Sequence, residues 1–262
     1  AKREAPTSYA YTEVQPPRKQ RWTMPFWFFS SQGLYSHVKD ENIELVKEFL
    51  SRGQVDINFK RYSENGNTPF HLACSVGNIE IVQLFLSRPD LDVNVQGAED
   101  RTAFNRACIG GNIEVVKLLI SRPDLDINGT DNLGYTGFHN ACSSGHLEIV
   151  NFLISRDDVD VNKPDLWMGK TPLHSACNNG YTGIVQSLVS RSDLNVNAKD
   201  IRCGYGRNCI FYKETSRSQM KPSQTPLHLA CRHGYIEIVQ LLLPQMKLEK
   251  KYYFLAYYII FC

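Results

Sequence analysis

Four histidines in this chain each stand three residues ahead of a cysteine: His71/Cys74, His139/Cys142, His174/Cys177 and His228/Cys231. Residues three apart share a helix face, so each pair could ligate a metal or form an imidazole-activated thiolate. Recurrence argues against both. A catalytic pair needs one distinct environment, and four copies at a regular interval describe a scaffold position instead. Another pair, Cys203 and Cys209, lies in C-G-Y-G-R-N-C, with five residues between the thiols. That gap exceeds the roughly two to four residues usual for zinc, and no second pair accompanies it. Exposed loop thiols are the expectation there. Its G-Y-G is no phosphate loop, since no helix-opening G-K-S/T follows. No Ser/His/Asp set, nucleotide fingerprint or carboxylate pair stands out, so the sequence predicts no enzyme, no cofactor and no metal.

The pairs belong to a recurring heptad. T-P-F-H-L-A-C at Thr68–Cys74 returns as T-A-F-N-R-A-C at Thr102, T-G-F-H-N-A-C at Thr136, T-P-L-H-S-A-C at Thr171 and T-P-L-H-L-A-C at Thr225. The threonines advance by 34, 34, 35 and 54 residues, so the last interval carries extra chain. Each heptad is followed by a second signature, such as G-N-I-E-I-V-Q-L-F-L at Gly77–Leu86. Five of the eight cysteines occupy one equivalent place in successive units. Stacked units hold such places farther apart than the roughly 7 Å a disulfide spans. Reduced, half-buried thiols follow, and with them a reducing compartment, cytoplasm or nucleus.

The unit from Thr102 to Tyr135 shows how the elements arise. Thr102 caps a short helix on which Phe104 and Ala107 share the buried face. Gly111 and Asn112 open a turn. A second helix from Ile113 to about Ser121 presents Ile113, Val116, Leu119 and Ile120 at helical spacing, and Pro123 stops it. D-L-D-I-N then alternates as a short extended finger, and Asp131, Asn132 and Gly134 turn the chain back.

This helix–turn–helix–finger unit resembles the ankyrin repeat, over roughly residues 32–243. The resemblance implies an all-α solenoid of about six repeats with short β-hairpin fingers. It divides the chain into an N-terminal extension (1–31), the stack (32–243) and a tail (244–262). The stack comprises an atypical capping repeat at 32–67 and repeats at 68–101, 102–135, 136–170, 171–224 and 225–243. The capping unit matches the second-helix signature at Asn42–Lys47, with a first helix expected over Gly33–Asp40. Departures from the family pattern are S-R-P-D-L-D-V-N where G-A-D-V-N is usual, and Ala103 and Gly137 at the proline place. Both latter residues should weaken their helix starts.

By the same resemblance the repeated histidine ties neighbouring units together, and Asn105 does so where histidine is missing. The groove is lined by Leu72, Ser75, Val76, Arg106, Ile109, Asn140, Ser143, Ser144, Ser175, Asn178, Asn179, Arg232 and His233. Finger tips add Arg61, Tyr62, Glu99, Arg101, Asn132, Leu133, Tyr135, Leu166, Trp167 and Met168. These places vary between copies while core places do not. Trp167 and Met168 lead, since no repeat requires a tryptophan in a finger turn, although Trp167 could instead fold on its own finger. In many ankyrin proteins the D-V-N asparagine can be hydroxylated, a place held here by Asn94, Asn128, Asn162 and Asn197.

An insertion at about 201–220 mixes basic and aromatic residues, with Tyr205, Arg207, Phe211 and Tyr212 as further contacts. Loops longer than about 15 residues are usually functional or disordered. Phe26–Phe29 either packs on the cap or serves as a hook. The tail carries an apolar run of about eleven residues, short of the ~20 a membrane helix needs, so no stable membrane insertion is expected. It either folds over the last repeat as a cap or is a misassembled gene end, and its lack of helical amphipathicity favours the latter. Net charge is +2, and no basic stripe suggests nucleic acid. The expectation is a monomeric, non-catalytic scaffold for a protein or peptide. Alternatively, it is an adaptor or regulatory segment of a larger enzyme or channel, as a chain beginning at Ala1 would suit. Membrane association through the tail is a third, more distant reading.

Overall fold

The computed structural model describes residues 31–52, 55–61, 66–201 and 223–245. Among these are twelve α-helices in six pairs. The first unit holds α1 (Ser31–Lys39) and α2 (Ile43–Ser51). The next three hold α3 (Pro69–Val76) with α4 (Ile79–Leu86), α5 (Ala103–Gly110) with α6 (Ile113–Ile120), and α7 (Gly137–Ser144) with α8 (Leu147–Ile154). The last two hold α9 (Pro172–Asn179) with α10 (Thr182–Val189), and α11 (Pro226–His233) with α12 (Ile236–Leu242). The capping helix starts two residues before the expected Gly33 and ends one residue earlier than Asp40.

Each inner helix from α3 onward begins at the repeated threonine. Thr68, Thr102 and Thr136 accept the backbone N–H three residues on, while their own N–H groups donate to the side chain of His71, Asn105 or His139. Two otherwise orphaned amides are thereby satisfied at each start. Each of these five helices ends at a glycine in left-handed conformation, as at Gly111 with φ 77°. There a side chain would be excluded twice over, because a Cβ would lie 2.7 Å from Cε1 of His146. That histidine belongs to the next unit and donates from Nε2 to the Ile109 carbonyl, 2.8 Å away.

The helices stack in two rows. Inner helices pack on inner helices and outer on outer, each unit touching its own partner and the adjacent units. Phe70, Phe85, Phe104, Phe138, Leu119, Leu153 and Leu173 are fully buried along the seam. Each such side chain contributes about 2–3 kcal/mol by leaving water. Gly137 is more than a weak helix start: its missing Cβ leaves room for the Phe104 ring, whose Cδ1 would lie 2.6 Å away.

Two devices join successive units. The finger asparagine of one unit bridges to the next with both ends of its carboxamide. Asn94 Nδ2 donates to the Asp124 carbonyl (2.6 Å) and its Oδ1 accepts the Asp126 amide (2.8 Å). Asn58, Asn128 and Asn162 do the same. The unusual S-R-P-D step explains itself in the same way. Arg122 grips Asp124 through Nε and Nη2 (both 2.9 Å), and its Nη1 donates to the Leu86 carbonyl at the end of the previous outer helix (3.2 Å). Arg88 and Arg191 repeat the clasp on Leu50 and Ile154. These arginines cap a neighbour's helix C-terminus, where carbonyls lack partners and cations are favoured.

The fingers contain less β-structure than expected. Among the described residues only the isolated bridges Arg61–Asn67 and Thr130–Thr136 form. At the third finger, Asp131 Oδ1 accepts the amides of Leu133 and Tyr135, so a side chain rather than a ladder closes the turn. Tip amides then bond sideways. Asn132 N–H donates to Glu99 O (3.0 Å), and Leu166 N–H donates to Leu133 O (2.8 Å).

Candidate functional site

Three of the four His–Cys pairs are scaffold by their bonding, and the fourth, His228, shares the Nδ1 bond to its threonine. His71 Nδ1 accepts the Thr68 amide, so its proton sits on Nε2, which donates to the Arg101 carbonyl of the next unit at 2.9 Å. His139 and His174 reach Lys170 O and Gln224 O in the same manner, and Asn105 Nδ2 donates to Tyr135 O at 3.3 Å. With both ring nitrogens committed to backbone, the imidazole has no lone pair for a metal and no proton to exchange with the thiol. Burial pushes His71 and His139 down to about 4 and His174 lower than usual. Cys74, Cys108, Cys142 and Cys177 are buried, and burial drives their thiols well above the usual range. Such groups are poor nucleophiles. Cys203 and Cys209 lie outside the described residues.

The expected groove residues fall into two groups. Some are partly absorbed by the stack. Arg101 is held by Glu99 (2.9 Å) and Asp131 (3.4 Å), tying two fingers together. Tyr135 packs edge-on against His139, and desolvation, with Asp165 beside it, raises its phenol to about 12. Ile109 lends its carbonyl to His146, and Asn179 donates to Ser143 O, with Asn178 bonded to Asn179. Arg61 lies over the Tyr35 ring, 4.9 Å from its centroid. The others are free of such duties or nearly so. Arg106 is half-buried, Arg232 and His233 are exposed, and the His233 ring stacks on Tyr235. Tyr62 and the insertion residues Tyr205, Arg207, Phe211 and Tyr212 lie outside the described residues, as do Phe26–Phe29 and the tail.

The finger tips hold three exposed apolar residues in a row. Leu166 is 65% exposed, Trp167 40% and Met168 38%. Asp165 Oδ1 accepts the Trp167 and Met168 amides and so fixes the turn that presents them. Leu133 adjoins them through its carbonyl bond to Leu166. Sequence reasoning missed Ile201, which is 60% exposed and donates its amide to Met168 O. Its signal was available, since it follows Asp200 as Leu166 follows Asp165. Among the described residues no helix is long and apolar enough to cross a membrane, and no group of three His, Cys, Asp or Glu side chains converges as a metal site.

No curated protein matches this sequence. Among solved structures, the chain is similar to the ankyrin repeat domain of Bcl-3, described as a unique member of the IkappaB protein family. The identity is 22%, with 80% of this chain and 84% of that one covered and a TM-score of 0.65, a likeness of fold. The family described as ankyrin repeats (3 copies) matches residues 34–131 and 123–200, and a single ankyrin repeat matches 223–247. Threonine-capped inner helices, left-handed glycine stops and side-chain bonds from unit to unit account for that match residue by residue, and the chain belongs to the ankyrin-repeat family.

Proposed function

We propose that the chain is a non-catalytic scaffold that holds a protein or peptide partner against its finger tips and groove. The exposed apolar tips carry this reading. Leu166, Trp167 and Met168 are all exposed, and exposed tryptophan and methionine suit interface anchors. Leu133, Tyr135, Arg101, Arg106, Ile109, Asn178, Asn179, Arg232 and His233 extend the face, with Tyr62 and the 201–220 insertion at its margins. The module spans 32–243 and acts as a monomer in a reducing compartment, cytoplasm or nucleus, consistent with five thiols kept apart in the stack. A normal interface of about 800 Å² on this side would cover several repeats.

Affinity capture from a source lysate tests the reading, comparing the intact chain with Trp167→Ala and with a Leu166→Asp/Met168→Asp double variant. Specific proteins retained by the intact chain and lost from the variants support it. An unchanged bound set rejects the tips as the site, and no specific protein at all rejects the scaffold.

A further inference from the structure

One equivalent position, four residues after each capping threonine, runs along the inner helices beneath the fingers. It holds Leu72, Arg106, Asn140, Ser175 and Leu229. Arg106 is unlike five other partly buried arginines. Arg88, Arg101, Arg122, Arg156 and Arg191 each grip a carboxylate. Among the described residues Arg106 has only two long bonds to neutral acceptors, from Nη2 to Asn67 Oδ1 and to Ala98 O, both 3.4 Å. Its Nε is buried without a partner. Burial, reinforced by the like charge of Arg101, presses its pKa down from the usual value, although a guanidinium stays charged regardless.

On the neighbouring inner helix α7, Asn140 stands at the same position. It is only 6% exposed, and its Nδ2 has no partner. Buried polar groups are normally satisfied, so two adjacent orphans mark a place where something else completes the bonding. Two carboxylates of the flanking fingers are already engaged. Glu99 pairs with Arg101 from a backbone held at φ 61°, and Asp131 accepts the Leu133 and Tyr135 amides as well as Arg101.

We propose that Arg106 and Asn140 form an acidic-residue subsite, in which an Asp or Glu of an extended partner segment forks onto the Arg106 guanidinium. The two weak bonds are little for that guanidinium to give up as it turns to meet a carboxylate bidentately. Packed helices lie about 10 Å apart, and extended chain advances about 3.3 Å per residue. Asn140 therefore receives a polar group about three residues further along the same segment. Beyond Asn140 the segment reaches the tips at Leu133, Leu166 and Trp167, so apolar side chains follow the acidic one. The bound ligand is thus a peptide of acidic-then-apolar character, and a uniformly basic or uniformly apolar segment is disfavoured.

The inference rests on the scaffold reading, and the experiment separates the two. A displayed library of random linear peptides is panned on the full chain. An enriched peptide is then synthesised with its acidic residue intact and with that residue changed to the amide. The amide form is expected to bind the intact chain about tenfold more weakly or worse, and Arg106→Gln is expected to bind the two forms alike. Peptides enriched without an acidic residue, equal binding of the two forms, or a preference surviving Arg106→Gln would each overturn the subsite while leaving the scaffold reading standing. Failure to enrich any peptide would count against both. The comparison of peptides on the intact chain holds even if the variant folds poorly.

Discussion

His71 donates its Nε2 proton to the Arg101 carbonyl, 2.9 Å away in the next unit, while its Nδ1 accepts the amide of its own Thr68. The ring is therefore a rivet that functions only when neutral. In the unfolded chain it titrates near 6.5, and in the stack near 4, so the unfolded state takes up protons first as pH falls. The stability it contributes is complete above about 6.5 and drains away between 6.5 and 4. At pH 5 the shift is worth about 2 kcal/mol for each such histidine.

His71→Asn is the direct test, because Asn105 makes the same joint without a titrating group. Urea midpoints at pH 7 should change little. At pH 5 the variant should retain about 2 kcal/mol that the parent loses. A variant as acid-sensitive as its parent would place the titration elsewhere.

Gly137→Ala should destabilise the chain, against the ordinary helix preference. Alanine is favoured over glycine by about 1 kcal/mol in a helix. Here the new methyl would meet the buried Phe104 ring, and overpacking costs about 1–3 kcal/mol. The expected net loss is up to about 2 kcal/mol in thermal or chemical unfolding. Trimming the ring in the double variant Phe104→Leu/Gly137→Ala should cost less than the two single changes added together.

The clasp at Arg191 should be unequal in its two halves. Arg191 is 17% exposed and donates to the Ile154 and Arg156 carbonyls, both 2.9 Å, whereas its partner Asp193 is 54% exposed. Asp193→Ala removes a screened surface charge and should cost under about 0.5 kcal/mol. Arg191→Ala also strands the carbonyls of the preceding unit and should cost about 1–2 kcal/mol. Equal losses would mean that the ion pair, and not the inter-unit bonding, stabilises the joint.

Alkylation should rank the repeated thiols. Cys231 is half-buried, while Cys74, Cys108, Cys142 and Cys177 are buried. Limited iodoacetamide treatment followed by peptide mapping should find Cys231 modified first among these five. The other four should react together only under unfolding conditions.

Much of the stack was legible because its signals are local. Thr102 as a cap, Gly111 as a stop and Ile113 onward as a second helix need only neighbouring residues, and all stand where the sequence put them. The joints were legible only where one residue type recurs, as with His71 and Asn105. The Arg122 clasp was hidden, because its second acceptor is the carbonyl of Leu86, 36 residues back, and carbonyls leave no trace in a sequence. Gly137 was misread for a similar reason, since its cause is a ring on the previous unit. In the candidate site, variability between copies marked Trp167 and Arg101 alike. Only geometry separates a side chain 40% exposed at a tip from one tied between two fingers.

His228 repeats the arrangement of its predecessors up to the last bond. Its Nδ1 accepts the Thr225 amide, yet the residue is exposed, and among the described residues its Nε2 meets no carbonyl. Among the described residues α11 thus makes half of the joint that His71, Asn105, His139 and His174 complete. A carbonyl offered at this place would complete the joint on the terms that Gln224 O already meets for His174. The bonding pattern therefore specifies how units join without specifying how many there are.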